Sequence, residues 1–138
     1  MPAQSTSVLI VDDNFNIRAA LRAFAERTMG MRVCASAANG VEAVARAEEH
    51  RPDLVLIDLS MPMMNGLDAA ATIRKAVPHA HIVVFTLFSD NLGQLLAKAA
   101  GVDLVVSKAE GAAGLLHALE PFLANRLATA RTTPLFPV

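Results

Sequence analysis

The chain has no Trp and no Tyr, so its six phenylalanines are the only benzenoid side chains it has. It has a single cysteine, Cys34, which excludes an internal disulfide and fits a reducing, cytoplasmic setting. Neither sign of charge is in excess. Twelve Lys and Arg face thirteen Asp and Glu, which argues against a broad basic face for nucleic acid. No apolar run approaches the ~18 residues of a membrane span. Met1 to Ser7 has neither the charged nor the apolar region of a secretory signal. No glycine-rich loop follows the first apolar run, which disfavours a nucleotide-binding fold. There is no internal repeat and no low-complexity tract. What remains is a chain of 138 residues, 54% hydrophobic and 18% charged, the profile of one folded domain with a proper core.

Three short apolar runs stand out: Val8-Leu9-Ile10-Val11, Leu54-Val55-Leu56-Ile57 and His81-Ile82-Val83-Val84-Phe85. Runs of this length, apolar at consecutive positions, suit strands buried on both faces of a parallel sheet. Weaker strands are expected at Met31 to Ser36 and at Leu104 to Val106. Between them lie helical patterns: Asn14 to Met29, with Ile17, Leu21, Phe24 and Thr28 on one face, and Val41 to Glu49, with Val41, Val44 and Ala45 inward. Gly66 to Ala76 follows, with Leu67, Ala70 and Ile73 inward, then Asn91 to Ala100 behind a Ser89-Asp90 cap. The last helix is expected from Ala112 to about Leu127, kinked or divided at Pro121. Residues 1–6 and 128–138 are expected to lie outside the fold as a disordered end and a tail. Strands alternating with helices five times predict an α/β sandwich with a parallel sheet and right-handed crossovers.

Parallel strands leave the sheet at one edge, and ligands of such sheets bind there. The first strand ends at Asp12-Asp13, the third at Asp58, the fourth at Thr86 and the fifth at Ser107-Lys108. Alone, Asp58 reads as a loop cap before Pro62 and Asn65-Gly66. With three carboxylates, a hydroxyl and an ammonium at the same edge, the set reads as a site. Crowded carboxylates call for a cation, and hard oxygen ligands beside a phosphate suit Mg²⁺. Asp58 could then attack phosphorus, with Lys108 and Thr86 binding the phosphoryl oxygens.

These stretches, together with Met61-Pro62, Gly66 and Phe85-Thr86, resemble the receiver domain of two-component response regulators. The resemblance runs from about Ser7 to Leu127. Asp58-Leu59-Ser60-Met61-Pro62, Asn65-Gly66-Leu67-Asp68 and Ser107-Lys108-Ala109 lean towards the NarL/LuxR type. It implies a flavodoxin-like three-layer fold with strand order 2-1-3-4-5 and five helices. It implies phosphoryl transfer to Asp58 from a histidine kinase's phosphohistidine, a phosphotransfer protein or a small phosphodonor. It also implies Mg²⁺ held by Asp13, Asp58 and the backbone carbonyl of Ser60, with Asp12 assisting through water. Catalysis is expected to be confined to the domain's own phosphorylation and dephosphorylation, with Ser60 and Phe88 tuning the latter and Phe88 shielding the acyl phosphate. Output is expected from the face made by the fourth helix, fifth strand and fifth helix, to a protein partner or a second copy. Leu92, Leu95, Leu96 and Ala99, with Leu115, Leu116, Leu119, Phe122, Leu123 and Leu127, offer more apolar groups than one buried face needs, although each taken singly reads as core.

The sequence departs from the pattern at Val105, where receivers commonly carry Tyr or Phe as a switch residue. Either signalling runs through Thr86 and the following loop, or Phe88 takes an analogous part, or the valine merely fills the strand. No basic recognition helix follows, so direct contact with nucleic acid is not expected of this chain. Three alternatives compete: a pseudo-receiver scaffold, a receiver fragment of a DNA-binding regulator, and an aspartyl phosphatase. The last would carry Asp-x-Asp on its first strand, whereas here the pair is adjacent. His79 and His81 form only a weak metal motif at the far end of the sheet. His50 and His117 read as surface residues and Cys34 as buried rather than reactive. Met61, Met63 and Met64 are expected in the loop beside Asp58, not at a copper site.

Overall fold

The computed structural model describes residues 5–59, 61, 63–87 and 91–132; the side chains of 91, 92 and 127–132 are not described. Ser60, Pro62, Phe88 and the Ser89-Asp90 cap therefore lie outside the described residues.

The chain alternates β1 (Ser7–Val11), α1 (Phe15–Arg27), β2 (Arg32–Ala37), α2 (Gly40–His50), β3 (Leu54–Ile57) and α3 (Gly66–Ala76). It continues with β4 (His81–Thr86), α4 (Asn91–Ala99), β5 (Leu104–Ser107), a 3₁₀ turn (Lys108–Glu110) and α5 (Gly111–Thr132). All strand pairs are parallel, in the order β2-β1-β3-β4-β5 expected of a flavodoxin-like sandwich. Alternate side chains of the central strands feed two cores. Leu9, Val11, Val55, Ile57, Ile82 and Val84 face Ala43 and Ala47 of α2, Ala70 and Ile73 of α3, and Ala97 of α4. Val8, Ile10, Leu54, Leu56, Val83 and Phe85 face Leu21 and Ala25 of α1 and Leu115 and Leu119 of α5. This is why the runs are continuously apolar: both faces are covered.

Three helices start at asparagine caps. Asn14, Asn39 and Asn65 each accept, through Oδ1, the backbone N–H three residues on, at 3.1, 2.9 and 2.9 Å. Each cap satisfies an orphan donor of the first turn and sets the helix start at the carboxyl edge of the sheet. Cys34 is the extra residue where the β1–β2 register shifts; its Sγ donates to the Val8 carbonyl at 3.4 Å.

The structure corrects several expectations. In α2 the buried residues are Gly40, Ala43 and Ala47, while Val41 and Ala45 are exposed and Val44 is only partly covered. A Cβ on Gly40 would overlap the Met64 carbonyl, so the helix approaches the β3–α3 loop too closely for larger residues. In α1, Ala25 takes the core position in place of Thr28, which is an exposed C-cap. Leu67 is partly rather than fully covered; Ala69 is buried beside Ala70 and Ile73. Thr6, expected outside the fold, is buried: its carbonyl accepts Arg32 N–H at 2.8 Å and its hydroxyl accepts Arg126 Nε–H at 2.9 Å. Pro121 does not divide the last helix, which runs past Leu127 to Thr132. The carbonyl that Pro121 leaves without a helical donor belongs to His117, an exposed residue.

Candidate functional site

The site is built at the carboxyl ends of β1, β3, β4 and β5. The β1–β3 register pairs Val11 with Ile57, so Asp12 and Asp58 are the first residues past the ladder on adjacent strands. The backbone holds both. Asp58 N–H donates to Val11 O at 3.0 Å, and Asp12 N–H donates to Ala37 O at 3.1 Å. Asp12 and Asp58 are 2% and 7% exposed, whereas Asp13 is open to solvent. One carboxylate oxygen from each of Asp12, Asp13 and Asp58 lies within 4.8 Å of the others. Hard oxygen donors at that spacing fit a small divalent cation, with room left for water and a phosphoryl oxygen.

Lys108 comes from the 3₁₀ turn after β5. Ser107 Oγ accepts Ala109 N–H at 3.1 Å and fixes that turn. Lys108 Nζ lies 2.7 Å from Asp12 Oδ2 and 3.5 Å from Asp58 Oδ2, a cation set against two largely buried carboxylates. Thr86 ends β4, opposite Ser107, and is fully buried. Gly66 opens α3 directly behind the site, and a Cβ there would overlap the Asp58 carbonyl. The structure thus brings Asp12, Asp13, Asp58 and Lys108 together, with Thr86 at the same edge. Ser60 and Phe88 lie outside the described residues.

Sequence reasoning passed over two contributors. Asn14 N–H donates to Asp12 Oδ1 at 2.9 Å, and Arg18 Nη1 donates to the Asp12 carbonyl at 2.7 Å. Arg18 looked like one of several polar residues between the apolar positions of α1. The signal that could have found it is its place one turn after the cap, since helical side chains lean back towards the N-terminus.

Val105 is half-buried on β5 and packs against the core on the α2–α3–α4 side. With Gln94, Lys98, Val102, Asp103 and Leu104 it lines a recess of about 130 Å³ between α4 and β5. Leu95 and Leu96 of α4 are 66% and 49% exposed, contrary to their reading as core, and Ala99 is exposed as well. Leu115 and Leu119 are core; Leu116, Phe122 and Leu123 are partly covered. The side chains of Leu92 and Leu127 are outside those described.

At the opposite edge, His81 Nδ1 lies 3.6 Å from Asp103 Oδ2, and its ring stacks on Phe122 at 4.5 Å. Burial pushes the His81 pKa down; Asp103 opposes that and Arg74 adds to it. Burial likewise pushes the Cys34 thiol up, in keeping with a residue that is packed rather than reactive. His50, His79 and His117 are exposed. Among the described residues no helix is long and apolar enough to cross a membrane.

The sequence matches the family described as the response regulator receiver domain over residues 8–120. The chain belongs to that family. It is 33% identical over 112 residues to the response regulator protein VraR of Staphylococcus aureus, a match covering 81% of this chain and 54% of VraR. The chain therefore spans about half the length of the curated relatives it matches. A LuxR-family two-component response regulator from Aurantimonas sp. SI85-9A1 superposes with a TM-score of 0.81 at 34% identity, covering 88% of this chain and 87% of that one. A LuxR-family DNA-binding response regulator from Staphylococcus aureus gives 0.79 at 27%, covering 86% and 98%. The receiver fold and its lean towards the LuxR type thus hold.

Proposed function

We propose that the domain accepts a phosphoryl group on Asp58 and uses it to change the affinity of a protein-binding face. The observation that carries this reading is the juxtaposition of Asp58 with Asp12, Asp13 and Lys108 at one strand edge. The donor is a phosphohistidine of a histidine kinase or phosphotransfer protein, or a small phosphodonor. An Asp58 carboxylate oxygen forms the new bond to phosphorus as the P–N bond breaks, and the imidazole nitrogen keeps the electron pair.

Receiver domains bind Mg²⁺ at an acidic pocket, and the three carboxylates here fit that ion. Asp13 and Asp58 would hold it, with the Ser60 carbonyl, and Asp12 would assist through water. When bound, Mg²⁺ supplies positive charge against the phosphoryl oxygens. Lys108 neutralises another oxygen, exchanging its contact with Asp12 for one with the phosphoryl group. Thr86 donates a hydrogen bond as it turns towards the same group. Phe88 shields the acyl phosphate and, with Ser60, sets how fast it hydrolyses. Catalysis is limited to these self-directed steps.

Switching follows only from differential affinity: to move from 1:99 to 99:1 takes roughly 5.5 kcal/mol between the two states. The exposed Leu95 and Leu96 support an output face on α4, β5 and α5, open to a protein partner or a second copy. With valine at 105, Thr86 and the loop after β4 carry the change. The setting is the cytoplasm. The likeness to a DNA-binding LuxR-family regulator supports a second reading of context, in which this domain is the receiver part of such a regulator.

The test is incubation with Mg²⁺ and acetyl phosphate, followed by intact mass. One added phosphoryl group, not formed when Mg²⁺ is chelated beforehand and absent in Asp58→Ala, is expected. No added mass in the wild-type chain would overturn the reading in favour of a scaffold, and sustained turnover of a phosphate ester would favour a phosphatase.

A further inference from the structure

We propose that Arg18 is a positioning residue for the Asp12–Asp13 turn, braced by Phe15, and that it sets how tightly this turn takes a divalent cation. The proposal rests on the reading of the acidic cluster as a Mg²⁺ site.

Two local choices in α1 are unfavourable on their own. Phe15, the first helical residue, is 71% exposed, an apolar ring left in water. Arg18 brings a cation back over a helix N-terminus that has no acidic residue in its first turn, opposite to what the helix dipole favours. Together they make sense. The guanidinium carbon of Arg18 lies 5.7 Å from the centre of the Phe15 ring, within cation–π range. From there Nη1 donates to the Asp12 carbonyl at 2.7 Å, a short, charge-assisted bond. Locally disfavoured choices with a joint rationale are expected at functional sites.

The consequence concerns what holds Asp12 once Lys108 leaves it. Asp12 is fixed at four points: its N–H by Ala37 O, its Oδ1 by Asn14 N–H, its Oδ2 by Lys108 and its carbonyl by Arg18. Lys108 is the one that moves to the phosphoryl group in the proposed function. Arg18 binds the backbone, not the carboxylate, so its hold does not compete with metal or phosphoryl ligands. It keeps the peptide between Asp12 and Asp13 oriented in both states, and so aims the Asp13 carboxylate. Outer groups of this kind commonly change metal affinity about 10–100-fold.

The experiment compares Arg18→Ala, Arg18→Lys, Phe15→Ala and the exposed control Arg22→Ala with the wild-type chain. Mg²⁺ affinity is read by isothermal titration calorimetry, and the Asp13 and Asn14 amide signals are read by NMR without metal. Arg18→Ala is expected to weaken Mg²⁺ binding about tenfold, with Arg18→Lys intermediate and Phe15→Ala weaker in the same direction. Affinity is measured well below the metal-free thermal midpoint of each variant, because losing a charge-assisted bond also lowers that midpoint, and the amide signals separate positioning from a general loss of stability. The two amide signals should shift in Arg18→Ala and stay put in Arg22→Ala. Wild-type affinity in Arg18→Ala, or unmoved amide signals, would overturn the proposal. If the wild-type chain takes up no Mg²⁺, the reading of the cluster fails instead, and the metal-free amide signals still decide whether Arg18 orders the turn.

Discussion

Lys108 Nζ lies 2.7 Å from Asp12 Oδ2, closer than the 3.5 Å that separates it from Asp58 Oδ2. The lysine therefore serves the most buried carboxylate of the site first. Lys108→Met should lower the stability of the metal-free domain by roughly 2 kcal/mol. That is below the about 3–5 kcal/mol for breaking a fully enclosed pair, because the Lys108 side chain keeps 14% of its surface exposed. Excess Mg²⁺ should recover part of the loss. Urea unfolding followed by circular dichroism, with and without Mg²⁺, measures both. An unchanged midpoint in the metal-free variant would mean that solvent already compensates Asp12.

Gly66 makes a second prediction. Its missing side chain lets α3 start against the Asp58 backbone, where a Cβ would overlap the carbonyl. Gly66→Ala must move either the helix or the end of β3, at about 1–3 kcal/mol by analogy with other overpacked sites. Phosphorylation of Asp58 should slow by more than this loss of stability explains, since the nucleophile itself is displaced. The rate with a small phosphodonor, measured well below the unfolding temperature, checks it. A normal rate in a destabilised variant would show that the helix yields and the strand end does not.

The third prediction concerns acid. Folding biases His81 towards its neutral form: burial lowers its pKa, Asp103 opposes that, and Arg74, itself 2.6 Å from Asp103, adds to the lowering. Unfolding frees the imidazole to take a proton at its ordinary value of 6.5. The unfolded state then binds more protons, so the stability His81 confers is complete above that value and is lost as pH falls through the lowered folded value. Between about pH 7.5 and pH 5.5 the wild-type melting temperature should fall further than that of His81→Phe, which keeps a ring on Phe122 but cannot titrate. Equal falls would assign the acid sensitivity to the carboxylates instead.

Much of the architecture was legible because β1, β3 and β4 each carry four consecutive apolar residues, a pattern with few other uses. Leu54–Ile57 and Gly66–Ala76 match their expected bounds, and the exits at Asp12, Asp58 and Lys108 do converge. Strand order was not legible from spacing and came through family resemblance. The errors have separate causes. Periodicity weighed by side-chain size turns Val41 inward, whereas close approach to the Met64 backbone selects Gly40 at the buried position. Pro121 was read as a breaker without regard to which face lost the hydrogen bond. Arg18 was passed over because a bond to a backbone carbonyl leaves no motif. Val105 is read correctly as a strand residue, yet nothing in its sequence context points to the recess beside it.

The β1–β3 pairing has a consequence for how the domain folds. The contacts between these neighbouring strands are distant in sequence, so forming them costs loop-closure entropy before packing rewards it. The same step forces Asp12, Asp13 and Asp58 into one another's fields. A slip of one residue would relieve that crowding but would turn Val8 and Ile10 to the wrong core. Core packing thus holds the three carboxylates together, and a bound cation would offset their mutual repulsion without the strands parting.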